Sequence, residues 1–223
     1  METSGQPTLR TPIVLLALLN LAMLGARLWP WQNVMNLPGN GTTGFDPAVT
    51  LVAYAGLGFW IGSVRTAVSK KSLFSAGMMG VLAGAFLVGL VLMASRQSAE
   101  ETSAPDKVQI GLAVCATLIL GAVGWRTARA GNTKGFSVVC TIWATMVSCL
   151  MAVTVILGQV YFRSSPAESP DPWKQYQGLA IGTPAMQDLV HSLDAVTGIL
   201  LLGPIVGCIA GTIFASFGNP RKA

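Results

Sequence analysis

Charged side chains are scarce in this chain. Only 10% of its 223 residues are Asp, Glu, Lys or Arg, whereas 52% are hydrophobic. Since an average soluble domain carries about a quarter charged residues, this composition argues against a water-soluble globule and indicates a helical membrane protein. Glycine and proline are too scattered through apolar runs for a collagen-like or disordered polymer.

Histidine is scarce as well, and paired cysteines and known catalytic motifs are lacking. The single His excludes bis-His haem ligation within one chain. No GxSxG, Walker loop or GxGxxG is present. The four cysteines lie in apolar stretches without CxxC spacing, which is typical of small core residues. The basic residues are dispersed in small groups, unlike a nucleic-acid-binding surface. We therefore expect no cofactor and no nucleic-acid partner, and a non-enzyme rather than an enzyme.

Long apolar runs are abundant, and six of them can cross about 30 Å of hydrocarbon as helices. They predict an all-α, polytopic membrane protein that forms one integral membrane domain, with spans near 12–29, 48–64, 73–95, 108–125, 136–162 and 195–217. The second and fourth spans are short, so a five-span alternative with one re-entrant segment stays open. The first span is interpreted as a retained anchor, with a cleaved signal peptide as the alternative.

The distribution of basic residues predicts the orientation of the spans. With the amino terminus inside, nine Lys and Arg lie in cytoplasmic segments and five lie on the other side, where eight of the nine acids also fall. Both termini are therefore predicted to be cytoplasmic, and in a bacterium the membrane is the plasma (inner) membrane. Beyond simple retention on that side, one group of bases is a candidate for holding anionic lipid headgroups: Arg65, Lys70, Lys71, Arg126, Arg129 and Lys134.

The two internal cytoplasmic turns resemble each other. Arg65 begins RTAVSKKSLFS, and Arg126 begins RTARAGNTKGFS. This similarity predicts a duplicated two-helix hairpin, 48–95 and 108–162, with both copies in the same orientation. The alternative is chance similarity, because any short cytoplasmic turn needs basic residues and a helix start.

Glycines recur at four-residue spacing within the spans. In lipid, small residues on one helix face let two backbones approach closely. The spacing predicts tight helix packing, either within the chain or in a homo- or hetero-oligomer, at Gly58, Gly62, Gly80, Gly84, Gly203, Gly207 and Gly211. Pro204 lies beside the last three and predicts a kink in that helix.

Apart from Arg27 in the last turn of the first span, no charged residue lies inside a predicted span, and the fifth span carries a group of uncharged polar residues. Thr141, Thr145 and Ser148 share one helical face, with Gln159 further along. Such a stripe either packs against neighbouring helices or lines a path for a neutral or weakly polar solute. Arg27 can reach the membrane interface, so the interior of the spans lacks charge, which argues against an ion-coupled carrier.

The only histidine lies in an acidic segment. Asp188, His191 and Asp194 are three residues apart at the expected start of the last span, so they can share one helix face. A histidine between carboxylates can accept a proton, sense pH or hold a metal. The alternative is an acidic first turn that complements the helix dipole.

Three functions follow, in decreasing order of support. The first is a non-catalytic helix-packing or accessory subunit that works by assembly. The second is a small permease or channel for a neutral or weakly polar solute. The third is a membrane enzyme, or a pH- or metal-responsive site, around His191.

Overall fold

The computed structural model describes residues 10–29, 45–63, 67–97, 107–163 and 184–218. All six predicted helices are present in these ranges, and no strand occurs there. They are α1 (Arg10–Leu28), α2 (Phe45–Ile61), α3 (Ala67–Gln97), α4 (Lys107–Arg129), α5 (Lys134–Arg163) and α6 (Pro184–Gly218). α6 begins well before the predicted span. Its first turns contain polar residues, so a search for apolar runs does not detect them.

Four helices are long and apolar enough to cross a membrane, judged by length and composition. They contribute the segments Lys70–Met93, Lys107–Arg129, Lys134–Gln159 and Ser192–Gly218. α1 and α2 contribute shorter apolar segments, Pro12–Ala26 and Asp46–Ile61. The outer faces expose large apolar side chains such as Leu118, Leu202 and Ile209. A monomeric soluble protein rarely presents apolar surface on this scale.

α5 is the central helix of the bundle. Of its apolar segment, 72% is buried, compared with 22% for α3 and 28% each for α4 and α6. It packs against each of the other five helices, and most extensively against α3 and α6. The others surround it in the order α3, α4, α6, α2 and α1, and among the described residues α1 and α3 make little contact.

α3 and α5 run in the same direction and in a fixed register. Gly80 of α3 packs on Ala144 of α5. One turn later, Gly84 packs on Ser148. Both contacts have the same sequence offset, so residues at that offset lie at the same level along the two helices.

A tight turn joins α4 to α5. Gly131 adopts a φ of +83°, which favours glycine. Asn132 Nδ2 donates to Thr127 O at 3.0 Å, and Thr133 Oγ1 accepts from the backbone N–H of Phe136 at 3.3 Å. The turn residues therefore satisfy backbone groups at the end of α4 and at the start of α5.

The helices of the two predicted hairpin copies pack differently. α4 and α5 are in direct contact along the second copy, 108–162. In the first copy, 48–95, α2 and α3 make little contact among the described residues. The duplication of the hairpin stays a prediction.

Candidate functional site on the central helix

One face of α5 lies directly on the glycine face of α6. A Cβ built on Gly207 would lie 2.5 Å from Thr145 Oγ1. A Cβ built on Gly211 would lie 3.1 Å from Thr141 Oγ1. Because the contacts advance along α6 while they recede along α5, the two helices are antiparallel. Thr141 and Thr145 of α5 and Gly207 and Gly211 of α6 are thus two sides of one interface.

A neighbouring face of α5 lies on α3 at comparably short range. A Cβ on Gly80 would lie 2.9 Å from Ala144 Cα, and one on Gly84 would lie 3.2 Å from Ser148 Cα. Ser148 Oγ lies 2.7 Å from Gly80 O and 2.9 Å from Ala144 O, so its hydroxyl donates between the two helices. Only a residue without a side chain permits this approach.

The hydroxyl groups of the polar stripe are used inside the bundle. Thr141 Oγ1 donates to Ser137 O at 3.1 Å, and Thr145 Oγ1 donates to Thr141 O at 2.8 Å. Both threonines and Ser148 are buried. Bonds of this kind satisfy hydroxyl donors where no water is present. Gln159 is half-buried, further along α5.

A proline in α6 frees a backbone acceptor that α2 occupies. Pro204 has no N–H, so the carbonyl of Leu200 lacks its usual helical donor. The Tyr54 hydroxyl of α2 donates to Leu200 O at 2.8 Å, and both residues are buried. A Cβ on Gly203 would lie 3.3 Å from the Tyr54 hydroxyl and would also meet Cys149. Tyr54 therefore ties α2 to α6 at the proline.

Asn20 joins α1 to the central helix. Its Nδ2 donates to Leu16 O at 2.9 Å and to Leu150 O at 3.3 Å. The residue is fully buried, and its Oδ1 has no hydrogen-bond partner among the described residues. Thr154 Oγ1 also donates to Leu150 O, at 2.8 Å. The carbonyl of Leu150 thus has more than one donor, whereas no described residue donates to Asn20 Oδ1.

Six of the seven glycines singled out in the sequence, all except Gly62, lie close to neighbouring helices of this chain. A Cβ on Gly58 of α2 would lie 2.6 Å from Ile13 Cγ2 of α1. Gly62 N donates to Gly58 O at 2.9 Å and continues the helical bonding past the end of α2. Gly58 therefore brings α2 close to α1, just as the glycines of α3 and α6 bring those helices close to α5.

Sequence reasoning did not single out Tyr54 or Gly124 as site residues. A Cβ on Gly124 of α4 would lie 3.1 Å from Thr141 Oγ1 and 3.2 Å from Gly211 Cα, so three helices meet there. The signal for Tyr54 lies in the sequence: a proline within a span frees a carbonyl, and Tyr54 is one of two tyrosines inside the predicted spans, the other being Tyr161 near the end of the fifth. Gly124 has no glycine four residues away, so the spacing rule passes over it.

The predicted cluster at His191 is described only in part. Asp188 and His191 belong to α6, but their side chains lie outside the described part of the structure. Asp194 is exposed. Among the described residues, no three His, Cys, Asp or Glu side chains lie together as a metal site would require. The four cysteines are free, with Cys140 and Cys149 buried.

The predicted basic residues that the structure describes are exposed. They lie at the start of α3, at the end of α4 and at the start of α5: Lys70, Lys71, Arg126, Arg129 and Lys134. Arg65 lies outside the described residues. The guanidinium of Arg129 lies over the Trp125 ring, 5.1 Å from its centroid.

Comparison of the chain with protein-family models, with curated proteins and with solved structures gave no match.

Proposed function

We propose that this chain is a multi-pass integral membrane protein in which all six helices cross the bilayer. Four helices are long enough by themselves. α2 has 17 residues, which at about 1.5 Å per residue span roughly 26 Å. A helix this short crosses when the bilayer thins locally, at a modest cost. The apolar outer faces of the long helices then lie against lipid chains.

In this proposal the end of the bundle that carries the start of α1 and the end of α6 is cytoplasmic. Of the six described basic side chains, five lie at this end, and only Lys107 lies at the other. The two described carboxylates, Asp46 and Asp194, lie at the end with Lys107. Basic residues are retained on the cytoplasmic side, so this distribution supports both termini inside and, in a bacterium, the inner membrane.

The proposed role is non-catalytic. The chain acts as a helix-packing or accessory subunit of an assembly in the membrane. The observation that carries this proposal is the use of the polar face of α5. Its hydroxyls are buried and donate to backbone carbonyls, and Gly207 and Gly211 close over Thr145 and Thr141. A path for a polar solute along this face would need space that these contacts fill. The geometry therefore favours packing over permeation.

The glycine faces already pack within the chain, so assembly is expected to use the outer apolar faces. A first experiment establishes orientation: in intact cells, an impermeant thiol reagent should label Asn40→Cys from outside and Lys70→Cys only after the membrane is opened. A second measures mass. Purified from native membranes in mild detergent, the chain should run as an assembly of fixed stoichiometry. A lone 23.3 kDa chain that passes a neutral solute in vesicles would instead establish the permease.

A further inference from the structure

Five cationic side chains share one end of the bundle. They come from three helices: Lys70 and Lys71 near the start of α3, Arg126 and Arg129 at the end of α4, and Lys134 at the start of α5. All five are exposed. Together they form what we call the basic layer.

The packing register places the basic layer at one level. The offset between Gly80 and Ala144, which is repeated at the next turn, also places Lys70 level with Lys134. The short turn after Arg129 brings the end of α4 to the start of α5. At the same end, Gly218, the last residue of α6, packs against the backbone of Trp125. A Cβ on Gly218 would lie 2.5 Å from the carbonyl oxygen of Trp125. The five cations therefore lie at one level, on helix ends that are packed together.

No described carboxylate neutralises the basic layer. The described acids, Asp46 and Asp194, lie at the opposite end of the bundle. One cation is also held in place, because the Arg129 guanidinium rests on the Trp125 ring. A stacked guanidinium loses less freedom when it binds an anion, and it keeps its hydrogen-bond donors available.

Large apolar side chains stand beside the basic layer. Phe74, one turn beyond Lys70, is 61% exposed, and Phe217 at the end of α6 is 77% exposed. Trp125 itself is 39% exposed, and tryptophan is the residue that favours the boundary between headgroups and hydrocarbon. A cationic level bordered by apolar surface matches a molecule with an anionic head and an apolar tail.

We propose that the basic layer binds the phosphate headgroups of anionic lipids in the adjoining leaflet. This inference rests on the proposed function, since it requires the helices to cross a bilayer. It goes further than retention of basic residues on one side, because it assigns selectivity for anionic over zwitterionic lipid to a defined set of side chains.

The test uses the full chain in vesicles of brominated phosphatidylglycerol or brominated phosphatidylcholine, with quenching of tryptophan fluorescence as the measure of lipid contact. The chain should prefer phosphatidylglycerol, and Arg129→Gln should lower that preference about fivefold, the effect of one cation near an anionic surface. Lys107→Gln is the matched control, because Lys107 is exposed at the opposite end. It should leave the preference unchanged. Salt at about 1 M should abolish the preference through screening.

Two results would overturn the proposal: equal quenching by the two lipids, or the same loss of preference in Lys107→Gln and Arg129→Gln, which would show an effect of net charge alone. A chain that fails to insert into the vesicles would overturn the membrane assignment as well. Insertion, measured by flotation with the vesicles, separates this failure from failure of the lipid proposal.

Discussion

The hydrogen bond from Tyr54 to Leu200 predicts that a tyrosine in α2 and a proline in α6 are energetically coupled. Tyr54→Phe removes one hydroxyl and keeps the ring. In a chain that keeps Pro204, Tyr54→Phe removes the hydroxyl that donates to Leu200 O at 2.8 Å. Because Pro204 has no N–H, Leu200 O has no backbone donor from its own helix to replace it. Pro204→Ala returns the N–H, so Leu200 O keeps a donor even without the tyrosine hydroxyl.

The size of the coupling follows from the burial of this carbonyl. Leu200 is 1% exposed and Tyr54 is 3% exposed, so water cannot replace the lost donor. An unsatisfied buried carbonyl costs about 1–3 kcal/mol. Measured hydrogen bonds between membrane helices average about 0.6 kcal/mol and reach about 1.7 kcal/mol. We therefore expect Tyr54→Phe to lower the free energy of unfolding by about 1–2 kcal/mol in the chain that keeps Pro204. In a chain that carries Pro204→Ala, we expect the same substitution to cost less than about 0.5 kcal/mol.

The assay is a double-mutant cycle of four proteins, unfolded by dodecyl sulfate in mixed micelles and followed by circular dichroism. Thr212→Val is the control, because Thr212 is exposed and its hydroxyl donates within α6 to Cys208 O, which keeps its own helical donor. It should show no coupling to Pro204. Equal costs of Tyr54→Phe with and without the proline would refute the reasoning, since Leu200 O would not depend on the tyrosine.

The remaining predictions concern glycine, and they have opposite signs. Gly207→Ala places a methyl group 2.5 Å from Thr145 Oγ1, so either the Thr145 side chain must move or α5 and α6 must separate, and we expect unfolding to become easier by about 1–3 kcal/mol. Gly198→Ala, in the same helix, meets nothing within 4 Å, so the gain in helix propensity should stabilise the chain by up to about 1 kcal/mol. The same unfolding assay measures both. Effects of equal sign would remove close backbone approach from the account of α6.

The helices were predictable because each contains a long apolar run. The ranges 12–29 and 136–162 differ from α1 and α5 by only a few residues at each end. What apolar content does not encode is which helix lies at the centre. The apolar segments of α5 and α6 have the same mean hydropathy, yet of the four long helices only α5 has most of its apolar segment buried. Its small and hydroxyl-bearing residues permit close neighbours on several sides.

The glycine and hydroxyl stripes were visible in the sequence, but their pairing was not. Spacing places Gly207 and Gly211 on one face of α6, and Thr141 and Thr145 on one face of α5. The spacing does not show that these two faces meet, because a helix face of either kind can lie against lipid or against any other helix. The hydroxyl of Tyr54 is a similar case: its acceptor, Leu200 O, becomes evident only once α2 lies beside the proline of α6.

The central claim is that the polar face of α5 is closed by packing, and native Cys149 tests it most directly. Cys149 is 2% exposed and lies against Gly203. A chain that keeps only this cysteine, with Cys115, Cys140 and Cys208 replaced by Ala, is treated in membranes with a small water-soluble thiol reagent. Lys70→Cys in a cysteine-free chain is the exposed reference. We predict that Lys70→Cys reacts and that Cys149 reacts only after unfolding in dodecyl sulfate. Reaction of Cys149 in the folded chain, at a rate near that of Lys70→Cys, would place water along α5 and contradict the claim.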